Sequence, residues 1–156
     1  MARYTGTVAS PHPAAAVWSY LADLRSIAEW DPSVEEIRLV SGEPGTVGAR
    51  YQLELSFLGN RVSLPYVTVT AEPPTRVVFA AEAGNFIVRD EARIRPIADR
   101  GSSVTWDAEL RLKGARRLLE PLLRLAFNRL GGRAARGLDE RLTELTPPRL
   151  LEETRA

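Results

Sequence analysis

The chain has 156 residues, 44% of them apolar and 26% charged, and a formal net charge of +1. That length suits one domain with a real core, and the balanced charge gives no global argument for nucleic acid or any other acidic partner. Cysteine is absent, which excludes disulfides, thiolate metal sites and cysteine nucleophiles; with no apolar leader and no membrane-length apolar run, the expected location is cytoplasmic.

Tyr4, Gly6 and Val8 alternate with Arg3, Thr5 and Thr7, which predicts a first strand. Ser10 precedes Pro11 and Pro13 and reads as the N-cap of a helix with proline in its first turn. Val17, Trp18 and Leu21 follow at helical spacing, and residues 23–30 form a second short helix that Pro32 stops. Residues 34–40 read as a strand running into the turn Ser41-Gly42-Glu43-Pro44-Gly45.

From there the period is two. Ala49, Tyr51, Leu53, Leu55 and Phe57 share one face, with Arg50, Gln52, Glu54 and Ser56 on the other. Gly59-Asn60 is the expected hairpin turn into a strand over 61–70, where Pro65 marks an edge or a bulge and leaves the facing open. After Glu72-Pro73-Pro74-Thr75, Val77, Phe79 and Ala81 alternate with Val78, Ala80 and Glu82, and Gly84-Asn85 turns into the next strand. That strand places Asp90 on the same face as Phe86, Val88, Ala92 and Ile94. An ionised carboxylate is costly in a dry core, so Asp90 implies a partner, a shifted pKa or a wet interior. After Asp99-Arg100-Gly101, Val104, Trp106, Ala108, Leu110 and Leu112 complete the apolar face. Strands joined by short turns imply an antiparallel sheet with one face covered and one wet.

Beyond Gly114 the period becomes 3.6: Leu119, Leu122, Leu123, Ala126, Phe127, Leu130, Ala134, Leu138, Leu142 and Leu145 form a broad stripe. Gly131-Gly132 weaken the middle of this helix, and Pro147-Pro148 end it. The expected organisation is one ligand-binding domain over 1–146 with a polar tail over 147–156.

This order resembles the helix-grip fold of the START-like (SRPBCC) superfamily, and within it the polyketide cyclase/dehydratase-type single-domain proteins. The matching residues are 16–23 in the first helix, Trp30-Asp31-Pro32-Ser33-Val34 after the second, Gly45-Thr46-Val47-Gly48-Ala49, Glu72-Pro73-Pro74 and Ser103-Val104-Thr105-Trp106. The resemblance implies an α+β fold. A curved antiparallel sheet of about seven strands wraps a long C-terminal helix, with two short helices between strands 1 and 2. It also implies an internal cavity between sheet and helix for a small hydrophobic molecule, as members bind lipids, sterols, polyketides, plant hormones or quinones. The cavity residues expected from the strand faces are Tyr51, Leu53, Leu55, Phe57, Phe79, Phe86, Val88, Asp90 and Trp106. Trp30 is expected at the entrance, and Leu122, Ala126 and Leu130 on the helix.

One histidine without cysteine cannot supply a usual zinc set. No nucleophile elbow, dinucleotide fingerprint or phosphate loop is present, so neither metal nor cofactor is expected. His12, between two prolines, reads as exposed and without function. Asp90 is either a cavity carboxylate that meets ligand or a buried acid satisfied by the protein. Binding or carriage is the first functional reading. The alternative is a cofactor-independent cyclase or dehydratase in which Asp90, assisted by Tyr51, transfers a proton. Between 115 and 137 six arginines face one acid, Glu120. This stretch reads as a solvated face rather than a membrane or nucleic-acid site, because the apolar stripe is needed to close the sheet. A monomer or weak homodimer is expected.

Overall fold

A computed structural model of the chain describes residues 1–144, so Leu145, the Pro147-Pro148 stop and the tail lie outside the described residues. Strand β1 (Ala2–Ser10) is followed by α1 (Ala14–Ala22), a 3-10 turn (Leu24–Ser26) and α2 (Ile27–Trp30). Six strands follow: β2 (Val34–Ser41), β3 (Arg50–Phe57), β4 (Asn60–Glu72), β5 (Arg76–Ala83), β6 (Phe86–Pro96) and β7 (Ser102–Leu112). A 3-10 turn (Ala98–Arg100) joins β6 to β7, and a third 3-10 segment (Gly114–Leu119) leads into the long helix α3 (Glu120–Glu144). The seven strands form one sheet in the order β1-β7-β6-β5-β4-β3-β2, every neighbouring pair antiparallel. The architecture is the α+β helix-grip arrangement.

Several local expectations are corrected. Ser10 is the last residue of β1 rather than a helix cap, and Pro13 holds the cap position of α1. Its fixed φ suits a helix start, while the Ser10 hydroxyl instead accepts the His12 backbone N–H at 3.2 Å. His12 is buried, because its carbonyl is tied to the Ser102 hydroxyl where β7 begins. The β3–β4 turn is Leu58-Gly59, with Phe57 facing Asn60. Both turn residues have positive φ, the requirement of the tight hairpin turn that matches strand twist. Pro65 lies in an interior strand, yet β4 pairs with β5 only from Tyr66 onward. Proline therefore sits where β4 has a locally free edge and no donor is missed.

The concave face is shared by two covers. The first helices cover one end, burying Val17, Leu21 and Leu24 against the sheet side chains Val77, Ala92, Ile94 and Val104. The Trp18 indole donates to the Arg76 carbonyl at 2.9 Å and fixes α1. Helix α3 covers the other end, with Leu138 and Leu142 buried. Two glycines let it approach. A Cβ at Gly131 would strike the Tyr4 ring, and one at Gly137 would strike the Trp30 carbonyl.

The convex face is not uniformly wet, as expected from alternation, because Glu91 and Val78 are both buried there. Glu91 accepts from Arg93 at 2.6 Å, Arg76 at 2.7 Å and Arg89 at 3.0 Å. Burial alone would raise its pKa, but these three guanidiniums together hold it at about 2.

The expected stripe on α3 is only partly used. Leu122 is 66% exposed, so it neither closes the sheet nor lines a cavity. The inward phase is carried by Leu123, Phe127, Leu130, Ala134 and Leu138, and Leu122 lies one position, about 100°, off it. Leu138→Ala should therefore cost about 2–5 kcal/mol in urea unfolding, whereas Leu122→Ala should stay within about 0.5 kcal/mol. Equal losses would contradict this helix phase. Gly132 has open space around it, so Gly132→Ala should gain up to about 1 kcal/mol from helix propensity. Gly137→Ala should instead lose about 1–3 kcal/mol by overpacking against Trp30.

Candidate functional site

Between the two covers the sheet retains an internal cavity of about 110 Å³. Tyr4, Gly6 and Val8 of β1, Leu53, Leu55 and Phe57 of β3, and Leu64 and Tyr66 of β4 contribute to its floor. Phe86, Val88 and Asp90 of β6 and Trp106 of β7 add the rest, because alternate side chains of each strand point inward. Trp30, Asp31 and Ser33 close it from the end of α2, and Phe127, Leu130, Gly131, Ala134 and Leu138 from α3. The rings of Trp30 and Trp106 meet edge to face, centroids 4.9 Å apart.

Of the residues expected here, Trp30, Leu53, Leu55, Phe57, Phe86, Val88, Asp90, Trp106 and Leu130 line the cavity. Tyr51 and Phe79 do not. They are fully buried and pack edge to face with centroids 6.4 Å apart. Burial raises the Tyr51 phenol, which interacts with Asp23 and Arg25 of the segment after α1. Tyr51 therefore belongs to the core under the first helices. Ala126 is half-buried on the flank of α3 and does not line the cavity, and Leu122 is exposed.

Asp90 is 5% exposed and accepts a hydrogen bond from the Tyr66 hydroxyl at 2.8 Å. Burial drives its pKa up, the Tyr66 bond opposes this, and Asp31 and Asp107 raise it further, leaving it at about 7. The Tyr66 phenol is itself pushed well above its ordinary value by burial and by Asp90. Asp31 is held by the backbone N–H of Ser33 at 2.9 Å and its hydroxyl at 2.7 Å. Burial still raises its carboxyl. A carboxyl near 7 paired with a phenol can accept or return a proton around neutrality.

Sequence reasoning missed Tyr66, Asp31, Ser33 and Tyr4 as site residues. Tyr66 follows the proline that left the facing of β4 open, although its register opposite Tyr51 fixes it inward. Asp31 sits between helix and strand, where no periodicity applies, and the Asp-Pro-Ser sequence was its only signal. Among the described residues no group of His, Cys, Asp or Glu side chains is placed to hold a metal. None of their helices is long and apolar enough to cross a membrane.

A curved sheet gripping a helix over an internal, mainly apolar cavity is the START-like class. The chain belongs to the family described as polyketide cyclase / dehydrase and lipid transport, whose profile matches residues 1–143. Similar solved structures include a Thermus thermophilus protein (19% identity, TM-score 0.74, 90% of this chain and 96% of that one). A START superfamily protein from Mycobacterium smegmatis is 14% identical (TM-score 0.76, 92% and 99%). The Zhui aromatase/cyclase from a Streptomyces species is 15% identical (TM-score 0.71, 98% and 93%). At these identities the structures speak for the fold. Comparison with curated proteins gives no match.

The two buried acids predict how stability depends on pH. Asp90 keeps a proton in the folded state that the unfolded chain releases, so stability falls as pH rises from about 4 to about 7. The full effect is on the order of 4 kcal/mol. Glu91 is depressed, so its contribution is present above its ordinary value and lost as pH falls toward about 2. Urea unfolding across this range should show maximal stability near pH 4–5, and Asp90→Asn should flatten only the neutral side. A wild-type curve that is flat from about pH 4 to 7 would contradict the buried, protonated Asp90.

Proposed function

We propose that the chain binds a compact, mainly apolar molecule carrying a hydrogen-bonding group, which engages the Tyr66–Asp90 pair. The observation that carries this reading is that pair, set into a cavity whose other walls are mostly aliphatic and aromatic. A structural core would gain nothing from a carboxyl that must stay protonated to be tolerated. The size of the site argues for one ring or a short chain: an apolar cavity of about 150 Å³ accepts benzene, and this one is about 110 Å³. Anything larger requires α3 or α2 to move outward.

A second reading, a cofactor-independent cyclase or dehydratase, is favoured by the Asp90 pKa of about 7. Dehydration of a β-hydroxy carbonyl balances with this one group. The Asp90 carboxylate takes the C–H proton next to the carbonyl, the carbon–carbon double bond forms, and the protonated carboxyl delivers that proton to the departing hydroxyl as water. The hydrogen bond from the Tyr66 hydroxyl to Asp90 supports Tyr66, rather than Tyr51, as the phenol that would hold Asp90 during the transfer. The family description and the aromatase/cyclase likeness support this class without choosing between carriage and turnover.

Calorimetric and NMR titrations with p-cresol and toluene test the binding. Wild type should prefer p-cresol by about tenfold, the worth of one hydrogen bond to a charge-bearing partner. Tyr66→Phe and Asp90→Asn should each shrink that preference while toluene still binds. Failure of the folded protein to bind either molecule would end the cavity-ligand reading.

A further inference from the structure

The cavity is electrostatically one-sided. Among the described residues its lining contains no lysine, arginine or histidine, yet it holds two carboxyls, Asp31 and Asp90. Among the described residues each is satisfied by neutral donors, Ser33 for Asp31 and Tyr66 for Asp90. The buried Trp30 indole N–H in the same wall, without an acceptor among the described residues, is a donor and calls for an acceptor atom elsewhere on the ligand than its cationic group. Around these groups stand aromatic rings of β1, α2, β7 and α3, namely Tyr4, Trp30, Trp106 and Phe127. Electron-rich ring faces and unneutralised carboxylates both attract a cation and repel an anion. Resting on the reading that the cavity binds a small molecule, we propose that its ligand is an apolar molecule bearing a protonated amine, whose ammonium supplies the counter-charge that Asp90 and Asp31 lack.

The surroundings of Asp90 set the expected pH behaviour. Tyr66 faces it from β4 and Asp31 from the end of α2. Asp107 of β7 and Arg89 of β6 act on it from the other side of the sheet, and α3 presents only Phe127, Leu130, small residues and Leu138. An ammonium selects the ionised carboxylate, so amine binding must displace the proton that burial keeps on Asp90. With a carboxyl at about 7, the ionised fraction rises from about one-tenth at pH 6 to about nine-tenths at pH 8.

Benzylamine and benzyl alcohol have nearly the same shape, and calorimetric titration of both between pH 6 and 8 is the test. Benzylamine should bind about tenfold tighter at pH 8 than at pH 6, whereas benzyl alcohol should change by less than about twofold. At pH 8 the amine should exceed the alcohol by about tenfold or more. Asp90→Asn should abolish the pH dependence and the preference. Asp31→Asn should weaken the preference, and it carries the test if the first variant does not fold by circular dichroism. Benzyl alcohol binding as tightly as benzylamine at pH 8 would overturn the amine inference and leave the cavity reading standing. Failure of both, together with p-cresol and toluene, would overturn the cavity reading and this inference with it.

Discussion

A seven-stranded sheet is wider than any single helix can cover. Strands spaced about 4.8 Å apart give a face of roughly 30 Å, and a helix with its side chains is about 10 Å across. This chain meets the mismatch with two covers rather than one: α1 and α2 over one end, and α3 over the other. The covers meet where Gly137 lies on the Trp30 carbonyl. The space they fail to fill beneath that junction is the cavity. Its volume thus depends on how closely α3 can approach, which the glycines at 131 and 137 determine.

Adjacent residues on β6 show what the same sheet does with charge on its two faces. Glu91 points to the convex side and is clamped by three arginines, so it stays ionised although buried. Asp90 points inward, finds only a phenol, and keeps its proton to about 7. Both side chains are nearly inaccessible to solvent, but burial dominates at Asp90, whereas three guanidiniums outweigh it at Glu91. A guanidinium beside Asp90 would make it an inert structural acid. Its absence makes the group responsive.

Strand positions, their order and the inward face of β6 were legible because period-two alternation is strong in this chain. Asp90 was visible as the one acid that breaks an apolar row. The phase of α3 was not legible, since the apolar positions of the expected stripe span more of the helix circumference than the sheet uses, and only docking selects which leucines turn inward. Leu122 and Ala126 fell on the unused side for that reason. Tyr51 and Phe79 obey the alternation, but alternation reports the face and not which cover lies above it. Tyr66 and Asp31 were hidden by proline and by loop, where no period exists to read.

The pairing of β1 with β7 also governs when the site comes into being. Ala2 lies opposite Leu110, so the first strand waits for the last. Contacts so distant in sequence carry a large loop-closure cost and form late. The six consecutive hairpin-linked strands β2–β7 can assemble while β1 is still unpaired. Tyr4, Gly6 and Val8 then arrive together with α3, which packs over them. The pocket is therefore the last part of this fold to be built, because its walls need both β1 and α3 in place.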